Sequence, residues 1–300
     1  MTIIPLDPEE ATATAVQALG QISPATRMGA VHLTVSDLER SVGYYEEVIG
    51  LSVRERVGAR ATLGVGGEDL LVLLEQPGVR AARGYCGLYH FALLLPDRID
   101  LARWLAHAAR DRVSLAGLAD HYVSEAIYLS DPDGHGIEIY WDRPRAVWEG
   151  KVAERMTTLP LDTSSLFGEL PDPARESFER LPSGTVMGHV HLCVADIPNT
   201  TVFYRDVLGF ALMASLGGQA AFLSAGGYHH HLGANTWESA GAGQPPEGFA
   251  ALGRATVVFP NEAERDLVVA RAADSGYESV SMDGGVLLRD PSGNPIVLAV

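Results

Sequence analysis

Two cysteines, Cys86 and Cys193, are all the thiol this chain of 300 residues carries, and they stand far apart. A secreted protein of this size would not usually rely on one bridge, so a reducing, cytoplasmic setting is expected. Positive charge is also scarce. With 22 Lys and Arg against 38 Asp and Glu, the net charge of -16 would repel phosphates, which excludes nucleic acid and anionic membrane as natural partners and favours small molecules. No run of about 18 apolar residues occurs, and the opening MTIIPLDPEEATATAV has no basic stretch followed by a long apolar one; neither a membrane span nor an export signal is expected. Walker-type loops, a GxSxG elbow and CxxC pairs are missing too, which removes support for nucleotide hydrolysis, serine hydrolase chemistry and thiol redox work.

What is present is a globular composition, 47% hydrophobic, with length enough for about two domains. The two domains are copies. VHLTVSDLERSVGYYEEVIGL (31–51) aligns with VHLCVADIPNTTVFYRDVLGF (190–210), and LSDPDGHGI (129–137) with LRDPSGNPI (288–296), both at an offset of 159. Between the copies runs a segment rich in Pro, Ser and acidic residues. The expected organisation is an N-terminal domain over 28–145, a linker over 146–184 with a short helix near 173–180, and a C-terminal domain over 185–300.

Each half repeats one order of elements twice. VHLTV alternates as a strand, SDL caps a helix, LERSVGYYEEVI carries apolar residues at helical spacing up to Gly50, and strands follow near 51–57, 60–65 and 69–75. The same order recurs from LYHFALLLP through DLARWLAHAAR to AIYLSD and GIEIYW, so each half is two βαβββ modules. On strands, His32 within VHLTV, His90 within LYHFALL and Glu138 within GIEIY can all point to one side. A carboxylate between Ile137 and Ile139 is costly to bury unless it is paired or bound to a cation. Two imidazoles and one carboxylate make the facial triad suited to non-haem Fe(II), with Mn(II) also fitting, and leave three positions open.

The stretch HYVSEAIYLSDPDGHGIE, residues 121–138, resembles the signature of the extradiol ring-cleavage dioxygenases. Four modules in one chain likewise resemble the vicinal oxygen chelate superfamily, which includes glyoxalases and bleomycin-resistance proteins, and in particular its tandem-domain, catechol 2,3-dioxygenase-like bacterial branch. The resemblance implies an α+β fold of two tandem vicinal oxygen chelate domains, in which paired modules curl into a half-barrel around a metal. It implies an enzyme of aromatic compound catabolism that opens a small aromatic diol with O₂, with metal ligands His32, His90 and Glu138. By the same resemblance Tyr128 and His121 assist proton transfer, and a homodimer is compatible with the family. In the second half His191 repeats His32, but Arg254 stands opposite His90 and Val297 replaces Glu138, so that site is read as dismantled.

Two other readings follow from the same superfamily. A glyoxalase-like isomerase would use a fourth, carboxylate ligand near the end of the first module, for which Glu75 is the candidate. A drug-sequestering binding protein would not need an intact triad. His229, His230 and His231 are read as lying on a strand with alternating faces, outside the main site; His107 and His135 are read as ordinary helix and turn residues, and His189 as sharing the face of His191.

Overall fold

The computed structural model describes residues 22–300; the opening segment read above, 1–16, lies outside them. Four modules follow one another. The first has β1 (Val31–Val35), α1 (Leu38–Tyr44), β2 (Ser52–Val57), β3 (Arg60–Val65) and β4 (Glu68–Glu75). The second has β5 (Gly87–Leu94), α2 (Arg98–Arg110), β6 (Gly117–Asp120), β7 (Ser124–Ser130) and β8 (Gly136–Asp142). The third has β9 (Val186–Cys193), α3 (Ile197–Val202), β10 (Ala211–Leu216), β11 (Ala220–Ser224) and β12 (Leu232–Asn235). The fourth has β13 (Leu252–Val258), α4 (Glu262–Asp274), β14 (Ser279–Met282), β15 (Gly285–Arg289) and β16 (Pro295–Ala299).

Local sequence explains the first module well. Val31, Leu33 and Val35 are buried under the helix layer while His32 and Thr34 take the other face, as strand alternation requires. The Asp37 carboxylate accepts the Arg40 N–H and opens α1, which winds on as a π-helical turn over Tyr45–Ile49. Gly50 ends it at φ +91°, where a side chain would also strike the Phe178 ring. The third module repeats the device, with Asp196 as cap and a π turn at Phe203–Val207. Leu33, Phe91, Trp104 and Phe203 all belong to one apolar core shared by the modules.

In every module the first strand pairs in parallel with the last, which sets Glu138 on β8 opposite Ala92 on β5. The modules themselves pair across the sequence halves. One sheet runs β14-β15-β16-β13-β1-β4-β3-β2 and joins modules four and one; the other runs β6-β7-β8-β5-β9-β12-β11-β10 and joins modules two and three. The seams are antiparallel: Arg254 on β13 faces His32 on β1, and His191 on β9 faces His90 on β5. A first strand with a free edge needs a partner, and each finds it in the other half of the chain.

The connecting segment differs from expectation in one respect. No helix forms at 173–180, where Pro171 and Pro173 interrupt the chain and Phe178 stacks on His107 at 4.5 Å; short helices form instead at Arg145–Trp148, Val152–Arg155 and Thr163–Phe167. No helix among the described residues is long and apolar enough to cross a membrane.

Candidate metal centre

Three donor atoms converge on the concave face of the second sheet. His90 Nε2 lies 3.0 Å from Glu138 Oε2, His189 Nε2 lies 2.9 Å from the same oxygen, and the two imidazole nitrogens are 3.3 Å apart. Three adjacent corners of an octahedron with metal–ligand bonds of about 2.1 Å are separated by about 3.0 Å, so this triangle fits a divalent cation. Among the described residues this is the group of His and carboxylate atoms close enough to share an ion.

His32 is therefore not where the sequence reading put it. It sits in the other sheet, opposite Arg254, because β1 pairs with β13 and not with β5. Burial, Arg254 and Arg60 lower its pKa to about 3. The place assigned to it at the cluster is filled by His189, from the far half of the chain. His189 does share its face with His191, since both line one small cavity with His90, Tyr128 and Glu138. Space for this comes from Gly188, at a bulge between Met187 and His189, where a Cβ would collide with the Tyr140 hydroxyl.

Buried Glu138 would by burial alone be raised, yet His189 and His90 outweigh that and hold the carboxyl well below its usual value. His189 is lowered by burial, partly opposed by Glu138. A charged carboxylate beside a His189 ring held neutral is the state in which these two groups take a divalent metal. His191 Nε2 is buried with no partner, as a polar atom awaiting a bound group would be.

His121 and Tyr128 are brought to the same cavity. The His121 Nδ1–H donates to the Thr157 carbonyl at 2.9 Å, which leaves Nε2 to accept the Tyr128 hydroxyl at 2.7 Å. Tyr122, the next residue, has φ +67°, and the Asp120 carboxylate accepts its N–H at 2.8 Å. Glu125 braces the same loop through Arg98 and Arg143, at 2.7 and 2.9 Å. The linker supplies Thr157 and also Met156, which joins Val123 and Phe222 as the apolar wall.

The triple histidine is the feature whose geometry the sequence reading missed. Residues 225–231 form a turn, not a strand, with Gly226 and Gly227 at φ +60° and +69°, so neighbouring rings need not alternate. His231 turns away and accepts the Ala225 N–H at 3.1 Å. His229 Nε2–H donates to Asp142 at 2.8 Å, its Nδ1 receives the His230 Nδ1–H at 2.9 Å, and the His230 ring sits 4.1 Å from that of His189. His230 Nε2 is thereby left as an acceptor on the cavity. Burial, then the surrounding imidazoles, hold it well below the usual histidine value. The paired glycines before the run, AGGYHHH, were the available signal for a turn.

Glu75 is engaged elsewhere, since its carboxylate accepts the Leu38 N–H at 3.0 Å, at the start of α1 in the other sheet. His135 is buried in its turn and donates to the Thr34 carbonyl at 2.9 Å. His107 is likewise buried, 3.1 Å from the Val48 carbonyl.

Residues 27–139 and 186–298 both match the profile of the Glyoxalase/Bleomycin resistance protein/Dioxygenase superfamily. The chain belongs to that superfamily. It is 42% identical over 274 residues to a catechol-2,3-dioxygenase of Bacillus subtilis, covering 89% of this chain and 94% of that relative. Among solved structures it resembles a putative dioxygenase of Bacillus subtilis, with a TM-score of 0.62 at 14% identity over 92% of this chain and 86% of the other. It also resembles glyoxalase I of Zea mays, with a TM-score of 0.57 at 18% identity over 92% of both chains. These two likenesses bear on the superfamily fold.

Proposed function

We propose that this protein is an extradiol ring-cleaving dioxygenase that opens a catechol, with Fe(II) held by His90, Glu138 and His189. The observation that carries the reading is the triangle of donor atoms, near 3 Å on each side, with an acceptor imidazole and a hydroxyl–imidazole pair beside it. The catechol-2,3-dioxygenase relative, alike over nearly its whole length, supports it. A divalent metal in this triad would supply an electrophilic centre with three open positions for gathering a diol and dioxygen.

The chain's own residues handle protons and orientation. His230, neutral and with Nε2 free, is the base for a diol proton, and the Asp142–His229 pair fixes the tautomer that leaves Nε2 free. On the other side, the Tyr128 hydroxyl, backed by His121, can hold a proton at its oxygen and give it as the ring opens. Val123, Met156 and Phe222 offer an apolar wall for the ring beside these polar groups. The reading takes 28–145 and 185–300 as the two domains, with the proposed metal ligands drawn from both.

Anaerobic loading with Fe(II), then catechol and oxygen, tests the reading. Oxygen uptake together with a yellow semialdehyde supports it. Bound iron without either signal sinks it, as does protein that retains no metal.

A further inference from the structure

The first sheet has a concave face equivalent to the metal centre, but the three ligand positions hold other residues. Ala30 stands for His189, Arg254 for His90 and Val297 for Glu138. These side chains line an open cavity of about 350 Å³ together with His32, Thr256 and Val258, within the range of roughly 300–1,000 Å³ common for small-molecule sites. Two short residues thus replace two ligands, and a fixed guanidinium takes the place of a third.

Arg254 has no ion pair among the described residues; its Nη1 reaches Met282 Sδ at 3.7 Å. Arg60 adds a second positive charge nearby; burial, then Arg254 and Arg60, depress His32, which lines the same cavity. Of the three acidic residues on the cavity's rim, Glu68 is engaged by Arg27 at 3.4 Å and Asp69 by Arg54 at 2.7 Å. Asp283 has no ion pair among the described residues, which disfavours a dianion and leaves room for a single negative charge.

We propose that this second half-barrel binds a small organic monocarboxylate, its carboxylate on the Arg254 guanidinium and its apolar body against Ala30, Val258 and Val297. The planar fork of arginine matches a carboxylate through two parallel hydrogen bonds, and the apolar wall selects against small hydrated anions. The site is independent of the ring-cleaving centre: a guanidinium here does for the ligand oxygens what a metal ion does there.

Titration calorimetry with benzoate, which has no diol to cleave, tests this on the full chain. Saturable one-to-one binding is expected, at least about tenfold weaker for Arg254→Gln, as loss of a charged pair would give, and unchanged for Glu138→Gln. Benzamide, neutral but of the same shape, and acetate, charged but without the ring, should each bind at least about tenfold more weakly than benzoate. Arg60→Gln, a change at an exposed side chain, should weaken benzoate by a smaller factor, about two- to fivefold. Arg254→Gln should keep its ring-cleaving turnover, since Arg254 is no part of that machinery. The proposal is overturned by no saturation up to about 10 mM benzoate, by equal affinity in Arg254→Gln, or by loss in Glu138→Gln with retention in Arg254→Gln.

Discussion

Tyr128 stands directly opposite Glu138 across the antiparallel pair β7–β8, and its hydroxyl reaches past the cavity to His121 Nε2 at 2.7 Å. The register continues through Ala92 to His189, so one row across four strands carries the hydroxyl, the carboxylate, a small residue and an imidazole. Ala92 leaves the gap into which His90, two residues earlier on the same strand, can lean. A site spread over four strands of a packed sheet is rigid, which suits ligands that must hold an open-faced geometry.

Metal retention separates His189 from His32. His189→Ala, like His90→Ala and Glu138→Ala, should cut metal affinity by more than about 100-fold, beyond what loss of a supporting residue usually does. His32→Ala should leave the metal content of purified protein unchanged. Elemental analysis after dialysis against a weak chelator reads both; metal lost from His32→Ala and kept by His189→Ala would reverse the assignment.

Why the first ligand was misplaced is instructive. His90 and Glu138 could be picked out because strand alternation puts them on faces, and His121 and Tyr128 because the family signature carries them; all four line one cavity. Which module abuts which is a different kind of information. It depends on strand edges meeting over a separation of some 220 residues, Arg254 against His32, and no period within one strand encodes it. The triple histidine was misread for a local reason: two glycines at positive φ turned an apparent strand into a bend. The linker's part in the site was hidden because Thr157 contributes a backbone carbonyl, which any residue type would supply.

Tyr128→Phe and His230→Gln test the proton handling. Both should keep the metal and lower kcat by about 10²–10⁴, the range of a lost general acid or base. Loss of turnover in step with loss of metal would make these residues structural. Because His229 sets the His230 tautomer, Asp142→Asn should reduce kcat in the same direction by a smaller factor, with little change in KM.

His32 makes stability depend on pH. Its folded pKa of about 3 lies below the ordinary value of 6.5, so between these the unfolded chain binds the extra proton and stability falls as pH drops below 6.5. At pH 5 the penalty is about 2 kcal/mol, from roughly 1.4 kcal/mol for each pH unit. His32→Gln should therefore lose less stability than the parent between pH 7 and 5 in urea denaturation. Parallel curves for the two proteins would count against this.

Gly188 is where the fold and the site are most tightly coupled. An added Cβ would fall on the Tyr140 hydroxyl, which itself hydrogen-bonds the Tyr228 hydroxyl at 2.8 Å beside the His229–His230 pair. Gly188→Ala must push the buried Tyr140 or lift β9, and overpacking of this kind costs about 1–3 kcal/mol. Lifting β9 moves His189, the next residue, out of the triangle. The expected result is a folded but less stable protein whose metal affinity falls more than its stability would explain. Tyr140→Phe in the same background removes the closest clashing atom but leaves ring carbons at 2.7 and 2.9 Å, so it should restore only part of both. If Gly188→Ala binds metal as the parent does, the bulge is not what positions His189.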